Sequence, residues 1–369
     1  EGGPVDAPVL LRSAESLRSE RVEQRALPCA FRQSVLHRVG HAIQDEVLGA
    51  FIVGDLCDAR PAGKQMALSS EALAQAVRVS QAVGDARTSS YAYGYLGSLY
   101  ESDGRPEEAL TLTTRAILYA QRSLAPESLY RWYWQSGRVL RGLGKPAEAI
   151  AAYRQALGNI QTVRKEMSAC TGDRDSSLRS AAALLCSQYV ELLLEHASSA
   201  ENPQLYLAEA REALELVKVF ELRDYFKDDC VDAARYVETK LDLISRSAAI
   251  VYPILLKDRL ELLVHFPDSL RRYTVMVSAE TLTKEVREFR SKVEKRTTNE
   301  FLPHAQTLYD WLIRPYEKDL GAYHSDTLVF VPDGPLRTIP MAALHNGKNF
   351  LIQEYATAVT PGLNLTDPR

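Results

Sequence analysis

Side chains able to act as nucleophiles, general bases or metal ligands are sparse in this chain and poorly arranged for any of those roles. Its five cysteines, Cys29, Cys57, Cys170, Cys186 and Cys230, are scattered, with no CxxC pair and no histidine at ligand spacing, so no zinc or other metal site is expected. An odd, unclustered set also argues against a disulfide framework; these cysteines read as small buried hydrophobes. The chain contains no GxxxxGK[ST], no GxGxxG after a strand, no HExxH and no GxSxG, which leaves nucleotide binding, zinc proteolysis and serine hydrolysis without their structural signatures. No cofactor is expected. The residues that do stand out are aromatic, Tyr91, Tyr93, Tyr95, Trp132, Tyr133 and Trp134, together with a strand-ending turn, VPDGPLRTIP, that holds Asp333, Gly334, Pro335, Leu336, Arg337 and Pro340.

The elements that must position these residues follow from periodicity. The 369 residues are enough for two or three domains at about 100 to 200 residues each. The net charge of −4 gives no default reason to expect nucleic acid as partner. Apolar runs such as Ala248 to Leu256 are broken by proline or ended by charge, well short of the roughly 18 to 20 residues of a bilayer span, and no membrane association is expected. The first residue is Glu1, so the natural start is expected to lie upstream. No compartment is assigned; cytoplasmic and exported settings both fit.

Residues 1–65 read as an irregular lead-in carrying two helices, Ser13 to Arg25 and Phe31 to Phe51. From 66 to 247 the pattern is helical, and it repeats. Tyr93, Leu96, Gly97, Tyr100, Gly104, Ala109 and Ala116 recur as Tyr133, Ser136, Gly137, Leu140, Gly144, Ala149 and Ala156, each pair 40 residues apart. Between the paired helices, GRPEEAL at Gly104 matches GKPAEAI at Gly144: glycine ends one helix in a left-handed conformation and proline starts the next, where its missing N–H costs nothing. Mid-helix Gly97 and Gly137 each forfeit about 1 kcal/mol relative to alanine, so a close neighbouring helix is expected at both. Flanking, more degenerate repeats are expected at Ser69 to Gly84 and Ser180 to Val219, giving a stack of three to four.

These residues resemble the tetratricopeptide repeat (TPR): an aromatic, Leu-Gly, a second aromatic, the inter-helix glycine, and two alanines seven apart with Tyr153 at the large position between them. The period of 40 departs from the family's 34 and implies longer helices or longer connections. The resemblance implies an α-solenoid whose concave groove holds a protein or peptide partner. Plain core packing is one reading of the aromatics, most directly for the ring at each repeat's aromatic position; partner contact is the other, for the outward-facing Tyr91, Tyr95, Trp132 and Trp134. Aromatics separated by one residue cannot share one face of a helix.

After residue 247 the period shortens. AIVYPILL, RLELLVHFP and RRYTVMVS read as strands, with a tight turn at Pro267 to Ser269. A helix capped by Ser278 follows, then a helix interrupted at Pro315 and an apolar strand from Leu328 to Val331, of the kind covered on both faces in a parallel sheet. A turn at Pro332 to Gly334, a short buried segment from Met341 to Leu344, a second turn at His345 to Lys348 and a strand-like FLIQEYATAV complete an α/β pattern. LYDWLIRPYEKDL and DTLVFVPDGPLRTIPMAALHNGKNFLIQEYATAVTPGLNLTDPR resemble the N-terminal half of the CHAT domain, a caspase-like family often fused to TPR repeats in bacterial-type proteins, and residues 248–369 are assigned to it.

The fold class expected is therefore an α-solenoid of TPR helix pairs followed by the first half of a caspase-like α/β sandwich. The resemblance implies, for the full protein, a cysteine endopeptidase using a Cys thiolate and a His at the ends of adjacent parallel strands. That family's His-Gly strand end and Ser-Ala-Cys-like segment have no match here. No cysteine follows Cys230, and none of His265, His304, His324 and His345 precedes a glycine at a strand end. No catalytic residue is assigned in this chain. The dyad is expected beyond Arg369, the remainder of the domain being a partner either as the same protein or, were Arg369 a processing site, as a separate fragment. The alternative function is a non-catalytic TPR–CHAT scaffold. Asp333, Gly334, Pro335, Leu336, Arg337 and Pro340 are read as structural, with contact to active-site loops as a second reading for Asp333 and Arg337.

Overall fold

The computed structural model describes residues 63–168, 175–226, 247–295 and 298–363. Both lead-in helices expected before residue 52 lie outside them. The chain divides into two compact units, Glu1–Cys170 and Thr171–Arg369.

The first unit contains α1 (Gly63–Val83), α2 (Ala86–Ser102), α3 (Pro106–Arg122), α4 (Pro126–Gly142) and α5 (Pro146–Ser168). Helices α2, α3 and α4 are each 17 residues long, and a three-residue joint separates each from the next. The 40-residue period thus comes from lengthened helices with short joints. All four joints close in the same way. Gly84, Leu124, Gly104 and Gly144 stand at 20-residue intervals with φ of +74°, +49°, +74° and +72° respectively. The amide after each reaches back to the helix just ended, Asp85 to Ser80, Arg105 to Tyr100, Ala125 to Ala120 and Lys145 to Leu140, at 3.0 to 3.1 Å. This is the Schellman closure that the two glycines predicted. At the third joint a leucine takes the left-handed position, which only glycine occupies without penalty.

Proline opens α3, α4 and α5, while Asp85 caps α2 by accepting from the Arg87 and Thr88 amides at 3.0 and 3.2 Å. The mid-helix glycines mark close approaches, as expected: a Cβ on Gly97 would lie 2.6 Å from Gln135 Nε2, and one on Gly137 2.7 Å from the Tyr153 ring.

The second unit is a five-stranded sheet of order β3-β2-β1-β4-β5, made of β1 (Ala248–Leu255), β2 (Leu260–Phe266), β3 (Ser269–Val275), β4 (Thr327–Phe330) and β5 (Ala356–Val359). The first three form the expected meander. β1, β4 and β5 run parallel, with Ile250 opposite Val329 and Val329 opposite Ala358. Pro253 sits in central β1 because β4 pairs only with residues 248–251; the side that lacks a donor faces past the end of β4.

One sheet face carries Ala249, Val251, Leu262, Val264, Leu328 and Phe330, packed with Leu282, Val286 and Phe289 of α8 (Ala279–Val293), Leu308 and Leu312 of α9 (Leu302–Leu312), and Leu320 of α10 (Glu317–Ala322). Ser278 caps α8 through the Thr281 amide, and the break at Pro315 is a 3₁₀ turn, Arg314–Tyr316. The other face meets α6 (Asp175–Ala197) and α7 (Pro203–Phe226): Gln204 Nε2 donates to the Leu270 carbonyl at 3.0 Å, and Tyr252 Oη donates to Glu215 at 2.7 Å.

Three expectations change. α6 and α7 are the helices foreseen between Ser180 and Val219, but they form the second layer of the sheet unit, so the packing boundary falls near 170 and not near 248. β4 is parallel on both sides, yet only Leu328 and Phe330 of its four residues are buried. FLIQEYATAV is not one strand: α11 (Leu351–Glu354) precedes β5, because Gln353 returns its side-chain oxygen to the Phe350 amide at 2.7 Å and turns the chain before it pairs with β4.

Candidate functional site

Of the four aromatics read as facing a partner, two are core residues. Trp132 is 3% exposed and Tyr95 9%. The Trp132 ring lies against Gly94, where a Cβ would approach within 2.4 Å, and its Nε1 donates to Ser90 Oγ at 2.9 Å. Tyr95 and Tyr91 pack edge-on against it, with centroids at 5.5 and 5.9 Å. Tyr91 is half-buried, and burial pushes its hydroxyl up to about 12. The reason is that α2 is covered on more than one side, so residues 92–97 are all buried; the rule that alternate positions cannot share a face does not expose any of them. Trp134 stays half-exposed. The Arg138 guanidinium lies 5.2 Å from its ring while gripping Glu101 of α2 through two 2.9 Å bonds.

Two polar features escaped the sequence reading. Gln135, 2% exposed, is a fully engaged hub: it donates to Thr113 Oγ1 at 2.7 Å and to the Gly94 carbonyl at 3.1 Å, and accepts from Ser98 at 2.6 Å. Gln81 also donates to the Tyr93 hydroxyl, as Gln121 does to that of Tyr133. That bond has the same 40-residue period and shows that α1 is the second helix of a preceding repeat.

In the second unit the functional question centres on the carboxyl ends of β1, β4 and β5, where open α/β sheets place their ligands. Here α7 supplies a row of charges three residues apart. Glu215 accepts from Tyr252 of β1 and, at 3.1 Å, from the Leu363 amide beyond β5. Lys218, 3% exposed, pairs with Asp333 just after β4 at 3.1 Å and reaches the Pro332 carbonyl at 3.4 Å. Glu221 accepts from Arg337, which also holds Asp333 at 2.9 Å.

Burial pulls the Lys218 ammonium below its usual range, with Asp333 opposing. The Asp333 carboxyl is held low because Lys218 and Arg337 outweigh its own burial. Burial, then the Glu215 carboxylate, raises the Tyr252 hydroxyl. Asp333 accepts from the Gly334 amide at 2.8 Å and opens the 3₁₀ segment Gly334–Thr338. Gly334 turns at φ +51°, Pro335 stands second in the segment and Leu336 is buried in the core. Pro340 is exposed and leads into a second 3₁₀ turn, Met341–Ala343.

No His–Cys arrangement occurs among the described residues. Cys186 is buried and its thiol is pushed up to about 12 by that burial, the opposite of an activated thiolate; the other four cysteines lie outside the described residues. His304 Nδ1 contacts Glu285 at 2.7 Å, and His345 Nδ1 accepts from the Gly347 amide at 3.0 Å. Among the described residues no group of acidic, His or Cys side chains could hold a metal ion, and no helix is long and apolar enough to cross a membrane.

Residues 87–161 match the family model of the tetratricopeptide repeat, and residues 302–369 match that of the CHAT domain. The chain therefore carries a tetratricopeptide-repeat region and a CHAT region. The repeat match covers α2 to α5 without reaching α6, in keeping with the boundary seen in the packing. The CHAT match begins at the first residue of α9 and takes in β4, the Asp333 loop and β5; the β1–β3 meander lies ahead of it. No curated protein matches the chain.

Proposed function

We propose that the TPR repeats hold a protein or peptide partner and regulate a caspase-like cysteine peptidase, of which the CHAT region here supplies the first strands and sequence downstream of Arg369 supplies the catalytic His and Cys. The observation that carries this reading is the alignment of the carboxyl ends of β4 and β5, at Val331 and Thr360, beside parallel β1, in a unit whose one described cysteine is an inert core thiol. Such a sheet edge is where a His and a Cys from neighbouring strands converge. The remainder of the CHAT domain is thus itself a partner. Trp134 is the aromatic carried forward as a contact in the groove.

The test is a peptidase assay with a mixed peptide substrate library on the chain ending at Arg369 and on the polypeptide extended through the rest of its reading frame. The short chain is expected to be inactive. The extended one is expected to cleave peptides and to lose activity when its downstream Cys is replaced by Ala. A reading frame lacking a downstream Cys would leave the non-catalytic scaffold as the function.

A further inference from the structure

α7 touches β1 itself and the segments that follow β4 and β5. Its row of Glu215, Lys218 and Glu221 engages β1 through Tyr252, the loop after β4 through Pro332, Asp333 and Arg337, and the segment after β5 through the Leu363 amide. These attachment points lie level with one another, since Val331 donates to the Val251 carbonyl and Thr360 to the Phe330 carbonyl, both at 2.9 Å. Glu215 and Lys218 are the members with least freedom, each 3% exposed. Lys218 is almost wholly buried, and a buried ammonium is tolerated only while its partners stay in place. Only the Glu221 end is partly exposed, Glu221 at 32% and its partner Arg337 at 41%. Short loops at 332–337 and 360–363 have few apolar anchors of their own beyond Leu336 and Leu363, so their placement depends on this row.

We infer that α7 is a latch: it moves as one rigid rod, holds the loops after β4 and β5 in register across the sheet edge, and when released loosens both together without unfolding the sheet. The latch is a property of this unit's own geometry and stands whether or not the full polypeptide is a peptidase. What distinguishes it from an ordinary ion pair is reach. Loss of Lys218 alone must be felt at 360–363, which Lys218 does not touch.

The test is amide hydrogen exchange read by mass spectrometry on the full chain and on Lys218→Met, which keeps the apolar stem and removes the charge. Exchange is expected to rise about tenfold or more in residues 331–340 and also in 360–363, while α9 on the opposite sheet face is unchanged. A rise confined to 331–340 would reduce the contact to a local pair and overturn the latch, as would no change, or an equal rise in α9.

Should Lys218→Met fail to fold, the partly exposed pair provides the second measurement. Glu221→Gln, which removes only the outer carboxylate, is expected to speed exchange in both 331–340 and 360–363. A rise confined to 331–340, or no rise, would refute the inference.

Discussion

Glu261→Gln is the substitution from which the sheet unit is expected to suffer most for the smallest change in shape. Glu261 is fully buried in β2 and accepts from Arg259 Nε at 2.7 Å, from Arg272 Nε and Nη2 at 2.8 and 2.7 Å, and from Thr274 Oγ1 at 2.7 Å. Arg272 also donates to the Leu194 carbonyl and to Ser198 at the end of α6, where a cation meets the negative end of the helix. A glutamine keeps one acceptor and, even in its better orientation, turns an NH₂ toward the Arg272 guanidinium. Breaking a buried pair costs about 3–5 kcal/mol; because the arginines are 14% and 20% exposed and water relieves part of that, about 2–4 kcal/mol is expected.

Acidity provides a second reading of the same site. Burial alone would raise the Glu261 carboxyl, but its hydrogen bonds from Arg272, Arg259 and Thr274 hold it below the usual 4.5. A carboxyl depressed in the folded state stabilises above its unfolded value and loses that contribution as pH falls through the folded one. Urea unfolding from pH 7 to pH 3, followed by Trp311 in the sheet unit, should therefore show wild-type stability declining more steeply below about pH 4.5 than that of the glutamine variant, by up to about 1.4 kcal/mol per pH unit. Equal slopes, or a loss under 1 kcal/mol at pH 7, would refute the argument.

Three other outcomes follow from particular residues. Leu124→Gly is expected to stabilise the repeats by about 0.5–1 kcal/mol, since the 86%-exposed side chain contributes little packing while a left-handed leucine is strained by about 1–2 kcal/mol, partly offset by the looser unfolded chain of glycine; a lower melting temperature would contradict this. Tyr316→Phe is expected to raise sheet-unit stability by about 1 kcal/mol, as the hydroxyl is wholly buried with no protein partner and such a group costs about 1–3 kcal/mol; a drop in the urea midpoint would show that the hydroxyl is engaged. Trp132→Ala should cost the repeats about 3–5 kcal/mol, whereas Trp134→Ala should cost under about 1 kcal/mol and weaken capture of a groove partner; circular dichroism melts and pull-down with each variant separate the two roles.

Sequence carried the local grammar of this fold well. Gly104, Gly144, Pro106 and Pro146 announced joints that the backbone realises, and Ser278 and Pro315 marked a cap and a break where they occur. Such signals act within one turn of chain, so their meaning does not depend on what packs where. What failed was assignment across distance. α6 and α7 have the composition of repeat helices, and only the pairing of Lys218 with Asp333, of Glu215 with Tyr252 and of Arg272 with the end of α6 shows that they cover a sheet. Tyr95 and Trp132 look like surface aromatics until α2 is seen enclosed by its neighbours.

The same contrast governs the candidate site. VPDGPLR was recognisable as a strand end because Pro, Asp and Gly have local conformational roles, and those roles are filled. That Asp333 and Arg337 also pair with a row on α7 was invisible, since Glu, Lys and Glu at three-residue spacing on a helix most often form a solvated face. A local signal was available in one respect only: Lys218 lies within the apolar run Leu216, Val217 and Val219, where a lysine needs a partner. Buried charge within apolar periodicity is thus the sequence feature that would have pointed to the sheet edge, and to Asp333 as the partner able to reach it.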